Sequence, residues 1–443
     1  MNILMLNIEA SRGVGTTNDH LEAFEKYSNN NVLILDARTD VAREIDYSLF
    51  DCFVIHHSVP IGYDNILNDD VLNKIQSFDG LKVLFIQDEM RWVDKTAKKI
   101  KDLGISVVFS VVNSSVTRKI YRDAWFDDVR FENVLTGYVP ENLLSIKTPD
   151  YAKRPIDVSY RARKLLAWCG SFGQEKFTIA DRFLKDAREW NLRCDISCKE
   201  KDRIYGKSWI KFVSNSKAVL GAESGASFID FSGLIAPAVD EYEARNPNKT
   251  FEEVRDKFLE GRDGEIKISV ISPRCFEAAA LRTLMIMYDG EYSGVLVPGK
   301  HFLVLNRDHS NMNEVVNVIR TPNLAEEITS AAYDDICLSG LWSYKSLVEK
   351  FDAVVKDEVL KCGGNADRSI DARYLRQLVS DCKRQARNSV VKYKVAVFLS
   401  KLFSFLVQCA TFYLPKKMAE RIEQKVVSGI EPLKIFLKRF LLG

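Results

Sequence analysis

At 443 residues the chain exceeds what one ordinary hydrophobic core supports, so two domains with an appendage are expected. A hydrophobic fraction of 46% beside 28% charged residues describes a globular, soluble body and excludes a disordered or fibrous chain. The net charge of +2 hides an asymmetry. Residues 382–443 carry 13 Lys/Arg against 3 Asp/Glu, a net +10, which leaves 50 against 58, a net −8, on residues 1–381.

The N-terminus, MNILMLNIEAS, lacks a basic stretch and a long apolar core, so it reads as a first strand rather than a signal peptide, and a cytoplasmic location is expected. From there to about residue 145, short apolar runs alternate with helical patterns. Ile3 to Leu6, Val32 to Leu35, Cys52 to Ile55, Val83 to Ile86 and Val107 to Phe109 read as strands, and helices are expected after Asn18, Asp69 and Trp92. Such alternation implies a parallel, doubly wound sheet whose chemistry lies in the loops after the strands. Those loops are Glu9 to Asn18, with Gly13 and Gly15, then His56 to Tyr63, and Gln87 to Trp92. His20, His57, Asp88 and Glu89 thereby come to one sheet edge, where general-base chemistry would need them.

The polar stretch Lys147 to Pro155 makes the best linker, and a second alternating block follows, with strands at Ile156 to Ser159, Cys194 to Ile196, Ala218 to Leu220 and Leu284 to Met287. Pro237 to Gly261 is charged, helical in pattern, and expected to be a surface insertion. Just after the first of these strands come Arg161 and Arg163, then Gly170 and Gly173. Guanidinium groups there can neutralise a pyrophosphate, and glycines let backbone amides approach the same anion. Glu223-Ser224-Gly225-Ala226-Ser227 reads as a tight polar turn after a strand, suited to holding a base or a sugar hydroxyl. Further on, SPRCFEAAALRTLMIM places Arg274 and Glu277 at the start of a small-residue helix whose N-terminus offers free N–H groups to phosphate, while Glu277 can accept hydrogen bonds from a ribose.

Nine cysteines, an odd number, are scattered without a pair of CxxC motifs, and Cys194 with Cys198 has no matching second pair, so cysteine-held zinc is not expected. No acidic cluster demands a metal. After residue 390 the character changes. Val395 to Leu414 is mostly apolar with a polar stripe of Lys401, Ser404, Gln408 and Thr411, and Leu433, Phe436, Leu437, Phe440 and Leu441 share one face of a last basic helix. Such helices suit an anionic bilayer surface; the alternatives are docking on the body or on a second subunit, or a membrane span.

The segments Ile156 to Lys176 and Ser272 to Asn311 together resemble the donor-binding half of GT-B glycosyltransferases, in the group-1 and spore-maturation-protein-like branch. The resemblance spans about residues 1–355. It implies an α/β fold of two Rossmann-like doubly wound domains, at 1–145 on the acceptor side and 146–360 on the donor side; the charge and apolar pattern add a basic amphipathic helical tail at 361–443. It further implies transfer of a sugar from a nucleotide-sugar to a glycan or lipid-linked acceptor, and the basic tail, residues 383–443, is expected to hold the protein at the cytoplasmic face of a membrane. His20, His57, Asp88 and Glu89 would be catalytic, and Arg161, Arg163, Gly170, Glu223, Ser224, Arg274 and Glu277 would bind the donor, with Glu277 on its ribose. No cofactor beyond the nucleotide-sugar substrate, no metal and no nucleic-acid partner are expected. One departure stands out: retaining members often carry an acid eight positions before the ribose-binding Glu, and here that position is Ser269. Another enzyme of this fold, an epimerase or phosphorylase, and a non-catalytic nucleotide-sugar-binding scaffold remain open alternatives.

Overall fold

The computed structural model describes residues 1–361 except Ala10, Arg12 and Gly13, together with Tyr374, Gln377, Leu378, Ser380, Asp381 and Arg384. Gly13 and the expected tail helices lie outside the described residues. Six strands form the first sheet: β1 (Asn2–Asn7), β2 (Asn31–Asp36), β3 (Cys52–Ile55), β4 (Leu81–Ile86), β5 (Val107–Ser110) and β6 (Arg130–Asn133). They are all parallel, in the order β2-β1-β3-β4-β5-β6. Apolar side chains cover both faces, as a parallel sheet between helices requires: Ile3 to Leu6 and Cys52 to Ile55 are fully buried.

The second sheet is also parallel. It uses β7 (Ile156–Arg161), β8 (Cys194–Ser197), β9 (Ser216–Gly221), β12 (Leu284–Met287) and β13 (Leu303–Val304), in the order β13-β12-β9-β7-β8. Two short strands, β10 (Ser224–Ala226) and β11 (Ile268–Val270), pair antiparallel beside it. Residues 224–226 are therefore strand, not the expected tight turn, because the backbone of Ile268–Val270 completes their hydrogen bonds. At Gly225, with φ +131, a Cβ would strike the Ile268 carbonyl. The chain is thus α/β with two doubly wound sheets.

The charged segment after β10 folds as two helices, Ile235–Arg245 and Phe251–Phe258, the second opened by a Thr250/Glu253 capping box. Its apolar positions Ala236, Val239 and Val254 are buried against Ala167, Trp168 and Cys169, so one face is core and only the other is surface.

The last described helix, Tyr344–Lys361, returns to the first sheet although it follows the second in sequence. Phe351 has no exposure and its ring lies 5.0 Å from Phe24, 5.8 Å from Phe85 and 5.6 Å from Phe109. Asp352 caps the end of the Gly15–Tyr27 helix by accepting from Ser28, Asn29 and Asn30. Arg130 pairs with Asp357 and Glu358. Burial of an apolar face outweighs sequence proximity here. Among the described residues no helix is long and apolar enough to cross a membrane.

Phe351→Ala removes the ring that three others enclose. Unfolding by denaturant should show the first domain destabilised by about 3–5 kcal/mol; a change below about 1 kcal/mol would mean that the helix is not integral to that domain.

Candidate functional site

In each sheet the strand order reverses once, between β1 and β3 in the first and between β7 and β9 in the second. Ligands of open α/β sheets bind outside the strand ends at such points. Here the two sets of ends face one another. Met90, after β4, accepts from the backbone N–H of Asp230 at 2.9 Å, and Phe231 accepts from Asp94 at 3.0 Å. Trp92 fills the space a side chain on Gly233 would need, since a Cβ there would lie 1.7 Å from the indole. Gly137 likewise sits tight against Pro273.

The walls of this cleft carry opposite charge. Asp88 follows β4 in a left-handed conformation, φ +59, which Asp tolerates better than most residues. It is open to solvent, yet crowding in the cleft strips part of its hydration and raises its carboxyl, while Arg163 and Lys176 from the second domain pull it down. Lys176, on the helix Gly170–Glu189, is half-buried and donates to Ser224 Oγ. Burial and the neighbouring Arg274 lower its ammonium to about 8. Arg274 is exposed, donates to the Arg161 carbonyl and lies over the Trp209 ring at 5.2 Å.

Glu277 sits one turn along the helix Pro273–Ala280, which opens at Ser272 without a side-chain cap. Its Oε2 accepts from Trp209 Nε1 at 2.8 Å. Burial raises its carboxyl, Trp209 and Arg274 oppose that, and Asp19 across the cleft adds to it. Asp19 itself is pushed up to about 6 by burial and by Glu22.

Arg163, Ser224, Arg274, Glu277 and Asp88 therefore come together as expected from their positions, and Lys176 and Asp19 join them. Neither of the last two stands out in sequence, because a charge on a helix is ordinarily solvated. Four expected residues are turned elsewhere. Arg161 spends its guanidinium on the carbonyls of Tyr160, Asp195 and Asp202 and on Asp195 Oδ1 at 2.7 Å, so it braces the loops after β7 and β8. The helix that Gly170 begins already holds an anion of its own: Ser171 N–H donates to both Asp263 oxygens and Phe172 N–H to Ser227 Oγ, and a Cβ on Gly170 would meet both partners. Glu223, 4% exposed, accepts from Ser269 Oγ and from Tyr292 N–H, tying β10 and β11 to the loop after β12. Glu89, also 4% exposed, is enclosed in the first domain and accepts from Ser110 and from Tyr121 at 2.6 Å.

The histidines form a layer of their own. His20 is 4% exposed and enclosed rather than offered to the cleft; His56 beside it is fully buried, and His57 is half-buried. His56 Nε2 meets His20 Nδ1 at 3.0 Å. Burial lowers His57 to about 4 and His20 well below the ordinary range, the latter helped by His57.

A groove of about 920 Å³ adjoins the cleft beside β8, lined among others by Lys164, Phe177, Ile196, Cys198, Lys199 and Arg203.

The chain matches no family model and no curated protein. Among solved structures it is similar to an alpha-glucosyltransferase in complex with UDP-glucose and DNA containing an abasic site, at 11% identity over 80% of this chain and 99% of that one, with a TM-score of 0.45. It is also similar to Anabaena Alr3699/HepE in complex with UDP, at 9% identity over 81% and 100%, TM-score 0.44. A third is AviGT4, a glycosyltransferase involved in avilamycin A biosynthesis, at 10% identity over 82% and 98%, TM-score 0.41.

The enclosure of Glu89 has a pH signature. Burial first of all lifts its carboxyl to about 7, with Ser110 and Tyr121 opposing. The folded state therefore keeps a proton that the unfolded chain loses near pH 4.5, so this contribution to stability is complete below that pH and is lost as pH rises through 7. The loss should approach about 3 kcal/mol at pH 8. Denaturation of Glu89→Gln at pH 5 and pH 8 should show that difference gone; a pH dependence equal to that of the parent would mean Glu89 is ionised in the fold.

Proposed function

We propose that the cleft binds a nucleotide-sugar and transfers its sugar, so that the protein is a glycosyltransferase of GT-B type. One observation carries this reading: Arg163, Lys176 and Arg274 converge where the two switch points face each other, with Glu277 behind them and Asp88 opposite. Three cations suit a diphosphate, and a half-buried Lys176 gives its charge more weight than a solvated lysine would. Arg274 and the uncapped helix Pro273–Ala280 can stabilise the leaving nucleoside diphosphate as the glycosidic bond breaks. Glu277, already oriented by Trp209, offers its other oxygen to ribose hydroxyls. Asp88 and Asp19 approach from the acceptor side, where a carboxylate can orient or deprotonate an attacking hydroxyl. Water exclusion between the two walls would limit hydrolysis of the donor.

Calorimetry with paired nucleosides and nucleoside diphosphates tests this. Lys176→Ala and Arg163→Ala should each weaken the diphosphate by about 1.5–3 kcal/mol while leaving the nucleoside nearly unchanged. Equal weakening of both ligands would assign the two side chains to loop shape instead. A panel in which no nucleotide-sugar is bound, hydrolysed or used in transfer would remove the reading altogether.

The acceptor is a glycan or a lipid-linked glycan, and the transfer takes place at a cytoplasmic membrane face. The support is the net +10 of residues 382–443 on a body of net −8, together with the Leu and Phe faces of the same stretch. Each Lys or Arg near an anionic surface contributes about 1 kcal/mol, screened by salt, and apolar burial adds a part that salt leaves intact. A chain ending at Lys383 should keep donor binding and lose cosedimentation with phosphatidylserine vesicles. Loss of donor binding or aggregation of the shortened chain would make the tail part of the folded body.

A further inference from the structure

Beneath the acceptor wall lies a site the reading above does not use. His20 comes from the Gly15–Tyr27 helix, and His56 and His57 follow β3. One ring nitrogen from each lies within 4.8 Å of the other two. The ring centroids are 4.9 Å apart for His20 and His56, 5.0 Å for His20 and His57, and 3.9 Å for His56 and His57.

The fourth side is also polar. β1 pairs with β3 in the register Leu6↔Ile55, so the next residue of each, Asn7 and His56, stand side by side on one face of the sheet. Asn7 has no exposure, and neither its Oδ1 nor its Nδ2 has a protein partner. A buried amide with both ends unmet is costly unless something else meets it. Around the group stand Phe24, 5.3 Å from the His20 ring, and Phe85, 5.2 Å from it.

We propose that His20, His56 and His57 bind a divalent transition-metal ion of the zinc class, with Asn7 Oδ1 or a water held by Asn7 in the fourth position. Imidazole nitrogens suit zinc, cobalt and nickel, and three of them leave one coordination place open. The second layer agrees with this. His56 Nδ1 lies 2.9 Å from Ser58 Oγ, which itself accepts from Ile8 N–H at 3.1 Å. Ser58 N–H also donates to Nδ1, at 3.1 Å, so without an ion the imidazole proton sits on Nε2 toward His20 Nδ1; ligation through Nε2 moves that proton to Nδ1, where Ser58 Oγ can accept it. His20 then carries its proton on Nε2 and offers Nδ1. The 3.0 Å between these two nitrogens needs to open only to roughly 3.3 Å, the span of two ligands at tetrahedral angles about 2.0–2.1 Å from zinc. The ion joins the ends of β1 and β3 to the helix that carries Asp19, and so holds one wall of the cleft in place.

The full-length protein, stripped with a chelator and dialysed, should take up one equivalent of Zn²⁺ or Co²⁺ and melt at a higher temperature with the ion than without it. Co²⁺ should give visible ligand-field bands and paramagnetically shifted resonances from three histidine rings. Half-buried His57 can be replaced with least harm to the core, and His57→Ala should weaken binding by about 100-fold. His56→Gln keeps much of the volume and should do the same. A folded chain that takes up no ion would overturn the proposal, as would an ion held equally well by both variants or a cobalt spectrum showing thiolate ligation. These readouts are independent of donor binding, so this proposal and the proposed transfer reaction can fail separately.

Discussion

The seating of Trp92 over Gly233 is the contact on which the cleft depends. A glycine at φ +76 leaves room for the indole, and the adjoining hydrogen bonds of Met90 and Asp94 fix the loop after β4 against the second domain. That loop contains Asp88, held in the left-handed region, so its carboxylate faces Arg163 and Lys176. A larger residue at 233 would push Trp92 out, and Asp88 would lose its opposite wall. The positions of the charges thus follow from a steric fit between two elements that have no charge at all.

Titratable groups held by protein partners elsewhere in the fold separate positioning from chemistry. Arg154 is 2% exposed and satisfies Ser216, Leu281 and Thr283 beneath the second sheet. Arg161, Glu89, Glu223 and Asp263 are similarly spent on protein partners. Each would be costly to bury alone, and each is matched by donors or acceptors from a different strand end. They lock the loops from which the less satisfied groups project. Lys176, Arg163, Asp88 and Asp19 have fewer protein partners and stand in the cleft.

Much of this was legible in the sequence, and the remainder was illegible for identifiable reasons. The apolar runs at Ile3, Cys52, Val83 and Leu284 are long enough to announce strands, and each of them is one. Ser224–Ala226 has three small residues and no apolar run, so only its pairing with Ile268–Val270 makes it a strand. Arg163, Arg274 and Glu277 were legible because each follows directly on a predicted strand or helix start. Arg161, two residues from Arg163, looks identical in sequence, and only Asp195 with the carbonyls of Tyr160, Asp195 and Asp202 decides that Arg161 is bound to the protein. Lys176 was hidden because its importance comes from Ser224, 48 residues away. The return of Tyr344–Lys361 to the first sheet was hidden for the same reason, since its apolar face fits any core and Phe24, Phe85 and Phe109 choose which.

The helix Gly170–Glu189 bears on how the cleft would hold an anion under the proposed reading. A long helix following the first strand of a nucleotide domain would ordinarily lend its N-terminal amides to phosphate. Here Asp263 takes the Ser171 amide and Ser227 Oγ that of Phe172, so the N-terminal charge of the helix is met from within. The affinity moves instead to side chains, Lys176 one and a half turns along that helix and Arg163 and Arg274 around it. Side-chain cations differ from amides in reach and in their response to pH. With Lys176 near 8, the site's charge weakens in mild alkali while the two guanidinium groups persist. On a body of net −8 these three cations line one wall opposite Asp88, so a phosphate entering the cleft would meet favourable charge at that wall rather than over the general surface.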